Sequence, residues 1–351
     1  MKEIIKNNVL FFSGNGNHAL GKKILEDLSE YVGIDLSFRH INFSRFSDIE
    51  PDNKIPLYES IAGKTVVLYQ SMFNDRLMEE FLELCWAMKR QYQAQKVIAV
   101  VPFLRFRRQD HSEKTEEIDR LRMLIDRLKH AGVDQLITVT PHSPKMMSKN
   151  CQAYGIKFHP TDMSEIFAQA IKTLLDGEEK NTLIYAPDEG SISRAVGLAQ
   201  ILGFEVIFTL KKRGLNNTAA IAGPDQQEVD ELIAKAQQEL DFPEISYATA
   251  DKIKGAIILM VEDEIASGET ANKTGRRLKS LGADTLIFSA THAVCTAGWQ
   301  RKLFYKDPFD KIFIADSIPR DYENRTGGKM HDLSVSGVMA AELYKVLKEC
   351  V

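Results

Sequence analysis

The chain has 351 residues, 44% hydrophobic and 27% charged content, and a formal net charge of −4 at pH 7. That allows two domains of ordinary size and gives no electrostatic footprint for nucleic acid or an anionic membrane surface. Met1 to Asn8 is polar with no apolar signal core, no apolar run approaches membrane-spanning length, and Cys85, Cys151, Cys295 and Cys350 are too scattered for a zinc knuckle or a disulfide framework, so cytoplasmic residence is expected.

Val9 to Ser13 reads as a short buried strand, followed by the turn Gly14-Asn15-Gly16-Asn17 and a helix to about Leu28. Two glycines alone favour a plain strand-to-helix turn over a phosphate loop. Ser44-Arg45-Phe46-Ser47-Asp48-Ile49-Glu50 is polar around one aromatic residue, which suits either a surface loop or a ring that stacks on a flat ligand. Thr65 to Tyr69 is a second buried strand. A helix over 75–90 carries Leu77, Phe81, Leu84, Cys85 and Met88 on one face as core. The strand Val97 to Val101 runs into Phe103-Leu104-Arg105-Phe106-Arg107-Arg108-Gln109-Asp110-His111. Three arginines and two phenylalanines just past a strand end suit a nucleotide, with cations for phosphates and rings for a base; a basic aromatic loop at a subunit contact is the competing reading. A helix marked by Ile118, Leu121, Leu124, Ile125 and Leu128 stops at Gly132. A strand to Val139 follows, and then His142: a lone His is usually a satisfied surface or core residue, but this one stands at a strand end, where a metal or phosphate ligand would belong.

The chain then repeats itself. Leu128 to His142 reads LKHAGVDQLITVTPH and Leu278 to His292 reads LKSLGADTLIFSATH, with Leu, Lys, Gly, Asp, Leu, Ile and His coinciding at an offset of 150. Duplication of an α/β half explains this better than shared helix–turn–strand grammar. The second half begins near residue 160. Its strand Thr182 to Ala186 ends on Pro187-Asp188-Glu189-Gly190-Ser191, where Asp188 is either a metal ligand or a helix cap. A strand from Glu205 to Leu210 runs into Lys211-Lys212-Arg213-Gly214 and a polar stretch, then a helix near 226–240. Cations at that root suit a lid over transferred phosphates; a solvated charge run is the bland alternative.

Ala256 to Val261 is an unbroken apolar run that ends on Glu262, Asp263 and Glu264, then Ser267-Gly268-Glu269-Thr270, then a helix over 271–281. Ligands of open α/β sheets sit beyond the carboxyl ends of strands. A Ser-Gly-x-Thr turn offers N–H groups and hydroxyls to an anion, and the acids suit sugar hydroxyls or a metal ion, so the pattern points to a sugar phosphate. A solvated turn with a Ser cap is the alternative. Lys311 to Ala315 is a last strand and 332–351 a closing helix.

In order and spacing, the segments from Phe12-Ser13-Gly14-Asn15 to Leu333-Ser334-Val335 resemble the ribose-phosphate pyrophosphokinase (phosphoribosyl pyrophosphate synthetase) family. The resemblance implies an α/β fold of two similar phosphoribosyltransferase-type domains, each a mainly parallel sheet flanked by helices. It places an ATP-side domain at 1–159, with 332–351 returning to it, and a ribose 5-phosphate-side domain at 160–331. The implied reaction moves the β,γ-diphosphoryl group of ATP to the anomeric hydroxyl of ribose 5-phosphate and releases AMP, with Mg²⁺ as cofactor and a homodimer or hexamer as the working form. The roles implied, residue by residue, are ATP binding for Phe46, Asp48, Glu50, Arg108, Gln109, Asp110 and His142. Metal association falls to His142 and Asp188, catalysis to Lys211 and Arg213, and ribose 5-phosphate binding to Glu262, Asp263, Ser267, Gly268 and Thr270.

The ribose loop departs from the family's Asp-Asp-x-x-Asp-Thr-x-Gly-Thr: Glu262 replaces the first Asp, Ala266 the third, Ser267 the Thr, and Glu269 stands where Gly is usual. A carboxylate 4 Å from a phosphate charge costs ~1 kcal/mol in bulk water and ~4 kcal/mol at an effective dielectric near 20. Glu269 therefore points away, is offset by a cation, or the acceptor differs. Thr140, Leu210 and Ser191 replace an Asp, an Asp and a Gly of the family pattern. An active synthetase is the expectation. A weakly active, synthetase-like nucleotide-binding or regulatory subunit and a phosphoribosyltransferase are the alternatives.

Overall fold

The computed structural model describes residues 2–41, 43–48, 50–53, 55, 60–109, 117–177, 181–210 and 226–350. Packing divides the chain into two compact units. One comprises Met1–Met163, Asp316–Pro319 and Ser334–Val351; the other comprises Ser164–Ala315 and Arg320–Leu333. Each is a parallel sheet clothed in helices.

In the first unit α1 (Lys2–Asn8) leads into β1 (Val9–Ser13), and α2 (His18–Val32) leads to β2 (Phe38–His40). A short antiparallel hairpin of β3 (Phe43–Arg45) and β4 (Pro51–Asn53) precedes β5 (Thr65–Tyr69). Then come α3 (Asp75–Trp86), β6 (Lys96–Val100), α4 (Arg120–His130), β7 (Gln135–Val139), α5 (Pro144–Ala153) and β8 (Lys157–Thr161). The sheet order is β2-β1-β5-β6-β7-β8, so the chain reverses direction across the sheet between β1 and β5. Every residue of β1, β5 and β7 is buried, as strands covered on both faces require. The stripe Leu77, Phe81, Leu84, Cys85 and Met88 is buried. The helix expected to run to residue 90 is α-helical only to Trp86 and continues as a π-helical turn over Ala87–Gln91.

The second unit runs α6 (Ser164–Leu175), β9 (Thr182–Ala186), α7 (Ile192–Leu202), β10 (Glu205–Phe208), α8 (Gln226–Leu240), β11 (Ile245–Tyr247), α9 (Ala250–Ile253) and β12 (Ile257–Ile265). It continues with α10 (Glu269–Ser280), β13 (Thr285–Ala293), α11 (Trp299–Leu303), β14 (Lys311–Ala315), α12 (Tyr322–Arg325) and β15 (Met330–Leu333). The sheet order is β11-β10-β9-β12-β13-β14-β15, with the reversal between β9 and β12. The chain then returns to the first unit as α13 (Ser336–Cys350). The closing helix therefore begins later than residue 332, because buried Met330 and its neighbours pair with β14 as a strand.

The repeat is visible to the residue. α4 ends at His130 and α10 at Ser280, β7 begins at Gln135 and β13 at Thr285, each at the sequence offset of 150. Gly132 and Gly282 fill the joint in the same left-handed conformation, φ +101° and +93°. The copies part at the strand ends. β7 stops at Val139, where Thr140 takes φ +41°, whereas β13 runs on to Ala293.

Candidate active site

The second unit opens where its sheet reverses. β9 pairs with β12 only as far as Met260, whereas β13 stays paired with β12 to Ile265. Glu262, Asp263 and Glu264 thus sit on a strand with one neighbour, not on a loop after it. The acids expected at the strand end are thus part of the strand, which continues to Ile265. The pleat alternates along the three acids, leaving Glu262 and Glu264 half-buried and Asp263 buried. Arg194, in the first turn of α7, puts Nη2 3.9 Å from Glu262 Oε2 and 3.8 Å from Asp263 Oδ1.

Asp188 leaves the carboxyl end of β9. Its Oδ1 accepts the Ser191 N–H at 3.1 Å, and its own N–H donates to Ser191 Oγ at 3.1 Å, a reciprocal cap. The cap fixes the carboxylate at the strand end. The Tyr185 hydroxyl bonds Thr209 Oγ1 at 2.8 Å, and Thr209 Oγ1 donates to the Pro187 carbonyl at 3.2 Å, so the ends of β9 and β10 are tied together. Burial, the largest influence, raises the Tyr185 phenol above its ordinary value.

The turn after β12 is built for close approach. The Glu269 N–H donates to Ser267 Oγ at 3.3 Å. Gly268 caps α10 at φ +79°, and a Cβ there would lie 2.7 Å from Leu303 Cβ. Only glycine meets both demands. The helix begins at Glu269 rather than 271, and Glu269 and Thr270 are exposed in its first turn. Glu269 pairs with Lys273 at 2.7 Å. That hydrogen bond and charge, with a smaller contribution from Lys302, hold its carboxyl below the ordinary range. A cation thus lies beside Glu269, one of the three possibilities raised by the sequence.

The first unit's reversal point is filled. Gly14 and Gly16 lie so close to the end of β5 that a Cβ would meet Gln70 Oε1 at 1.8 Å and the Ser71 carbonyl at 2.3 Å. The same crevice receives the returning segment, with Asn17 Nδ2 donating to the Asp316 carbonyl at 2.7 Å and Ser71 Oγ to that of Ser317 at 2.6 Å. The glycines therefore serve packing, not a phosphate. The candidate residues gather farther along the sheet, beyond the neighbouring strands β6 and β7. Arg108 and Gln109 are exposed past β6, and His142 is half-buried past β7. The arginines do not leave both rings bare: the Arg107 guanidinium lies 4.8 Å from the Phe103 centroid and that of Arg105 lies 5.5 Å from Phe106. Gln109 is steadied by Arg120, whose Nη1 donates to Gln109 Oε1 at 3.4 Å. Phe46 is 55% exposed at the tip of the β3–β4 hairpin, where its N–H donates to the Glu50 carbonyl at 2.9 Å and the Glu50 N–H to Asp48 Oδ1 at 3.2 Å. The stretch read as either a loop or a stacking aromatic is thus a hairpin that presents a ring to solvent.

Asp110, Lys211 and Arg213 lie outside the described residues. Among the described residues, no group of three or more His, Cys, Asp or Glu side chains is placed to hold a metal ion, and no helix is long and apolar enough to cross a membrane. Sequence reasoning missed two contributors. Lys273 was readable as the i+4 partner of Glu269. Arg194 was readable as a cation in a helix's first turn, where the dipole disfavours it.

A model of the N-terminal domain of ribose phosphate pyrophosphokinase matches residues 9–132, and one of the phosphoribosyl transferase domain matches residues 156–320. The chain belongs to the ribose-phosphate pyrophosphokinase family. Relatives named ribose-phosphate pyrophosphokinase include that of Pasteurella multocida, 25% identical over 97% of each chain, and that of Wolinella succinogenes, 28% identical over 95% of this chain and 94% of its own. The crystal structure of phosphoribosylpyrophosphate synthetase from Mycobacterium smegmatis has the same fold: TM-score 0.75 and 19% identity, covering 98% of this chain and 100% of that one. The family's two-domain parallel α/β architecture is the one described above.

Proposed function

We propose that the protein is a ribose-phosphate diphosphokinase, which transfers the diphosphoryl group of ATP to ribose 5-phosphate and releases AMP. The observation that carries this is the Glu262–Asp263 pair on the open end of β12, followed by the glycine-tight turn into α10, in a chain of this family. The acids accept hydrogen bonds from the sugar hydroxyls. Ser267, Gly268 and Thr270 receive the 5-phosphate at the helix N-terminus, where N–H groups and the dipole favour an anion. Arg108 and Gln109 in the first unit, with Asp110 from the sequence pattern, hold ATP, and His142 stands by its phosphates. Phe46, Asp48 and Glu50 reach the adenine of a second copy of the chain, so the working form is a homo-oligomer. Lys211 and Arg213 neutralise charge on the transferred group. Such transfers ask little covalent chemistry of a protein beyond alignment and charge stabilisation.

Mg²⁺ fits this donor set. It takes one or two carboxylates and keeps waters and phosphate oxygens for the rest, and Asp188 offers a half-buried carboxylate held in place by Ser191. When bound, the ion supplies positive charge against the phosphates. The Glu269–Lys273 pair lowers the net negative charge at the ribose turn, which favours this reading over a weakly active regulatory subunit. The test is AMP release with ATP, Mg²⁺ and ribose 5-phosphate, in wild type and in Lys211→Ala. The reading requires turnover that the variant loses while keeping its fold. ATP binding without turnover supports the regulatory subunit, and consumption of phosphoribosyl diphosphate with a base supports a phosphoribosyltransferase.

A further inference from the structure

We propose that Arg194 is a positioning residue for the ribose-binding acids, an inference that rests on the function proposed above. Three observations converge on it. The side chain comes from the first turn of α7 and is only 16% exposed. A mostly buried cation there opposes the helix dipole, so the fold bears a cost that its surroundings must offset. One nitrogen, Nη2, stands nearly midway between Glu262 Oε2 at 3.9 Å and Asp263 Oδ1 at 3.8 Å. Nε is fully buried with no hydrogen-bond partner among the described residues. The guanidinium is therefore not locked into a bidentate fork on either acid. It spans two carboxylates that are adjacent in sequence and would otherwise repel each other in a partly buried site.

Glu262 and Asp263 leave the strand on opposite sides of the pleat, so a shared cation is what brings both onto one ligand. It holds them aimed past the end of β9, where sugar hydroxyls donate to them. Arg194 touches no reacting atom in this scheme. It acts through the acids, and its loss weakens ribose 5-phosphate while leaving ATP alone.

Two measurements test this, using Arg194→Gln, Arg194→Lys, Glu262→Gln and the double variant Arg194→Gln/Glu262→Gln of the full chain. In steady-state kinetics Arg194→Gln raises KM for ribose 5-phosphate on the order of tenfold, with KM for ATP unchanged, and Arg194→Lys, which keeps the charge, recovers most of the loss. In thermal unfolding the two Gln changes are non-additive, the double variant being more stable than the singles sum to, because removing one acid relieves the repulsion that losing the arginine exposes. Additive unfolding, an unchanged KM for ribose 5-phosphate, or an equal rise in both KM values overturns the positioning role while wild-type turnover stands. A wild type that releases no AMP removes the proposed function and this inference together, and is distinguishable for that reason.

Discussion

Substituting Gly268 with alanine tests the construction of the ribose turn, and Gly298 supplies the control. The two share a backbone conformation, φ +79° and +78°. They differ in space: a Cβ at Gly298 meets nothing within 4 Å, whereas one at Gly268 lies 2.7 Å from Leu303 Cβ and 3.2 Å from Leu303 Cα. Truncating the Leu303 side chain to alanine would not relieve the contact, because its nearest atoms are Cβ and Cα. Left-handed backbone costs an alanine ~1–2 kcal/mol, and overpacking a tight site adds ~1–3 kcal/mol. Gly298→Ala therefore loses ~1–2 kcal/mol from the left-handed term alone. Gly268→Ala loses ~2–5 kcal/mol. At about 2–4 °C per kcal/mol for a unit of this size, the gap is visible in thermal or urea unfolding of the two variants side by side. If Leu303 or α10 shifts instead, the cost appears as weakened ribose 5-phosphate with ATP binding intact. Equal unfolding midpoints together with equal ribose 5-phosphate affinities for the two variants would refute the steric argument.

Three further predictions follow from the charges and thiols. Because Lys273 offsets Glu269, Glu269→Gln should lower the half-saturating ribose 5-phosphate concentration and Lys273→Gln should raise it; the reverse order in initial-rate curves would displace Glu269 from the turn's electrostatics. Burial first, then His40 and Lys22, lower the His18 pKa, so the unfolded chain takes up this proton more readily. The contribution is intact above the ordinary value of about 6.5 and is lost as pH falls below it. His18→Gln should flatten the fall in urea midpoint between about pH 7 and pH 5.5, and an unchanged slope contradicts the assignment. Burial pushes the Cys151 and Cys295 thiols up to about 12 and that of Cys85 higher still, while Cys350 is half-exposed. Iodoacetamide should therefore label Cys350 alone in the native protein, as read by peptide mass spectrometry.

The parts of the fold legible in sequence are those fixed by burial on both faces. Val9–Ser13, Thr65–Tyr69, Thr182–Ala186 and Lys311–Ala315 are strands at the residues their apolar runs mark. The joint at Gly132 and Gly282 was legible because its backbone geometry favours glycine, so duplication left a mark that drift could not erase. What misled was polarity inside a strand. Glu262 to Glu264 read as the end of the strand, yet β13 continues to pair beside β12 as far as Ile265, and the half-open edge is what makes acids tolerable there. β8 carries Pro160 in a polar run and showed no strand signal, although its ladder with β7 is continuous from Lys157 to Thr161. The Gly14–Asn17 turn had no sequence signal for what fills it, because the filling segment, Asp316 and Ser317, lies some three hundred residues away. Arg194 was visible as a cation in a helix's first turn, but its partners Glu262 and Asp263 come from a distant strand, which no local pattern records.

The central claim is the chemistry of transfer, and one ³¹P NMR time course on the wild-type protein with ATP, Mg²⁺ and ribose 5-phosphate tests it. The account predicts that ATP resonances decline as AMP and a sugar-linked diphosphate rise in equal amounts, with no ADP and no free phosphate. ADP or inorganic phosphate as the product, or an unchanged spectrum at saturating substrates, would contradict it.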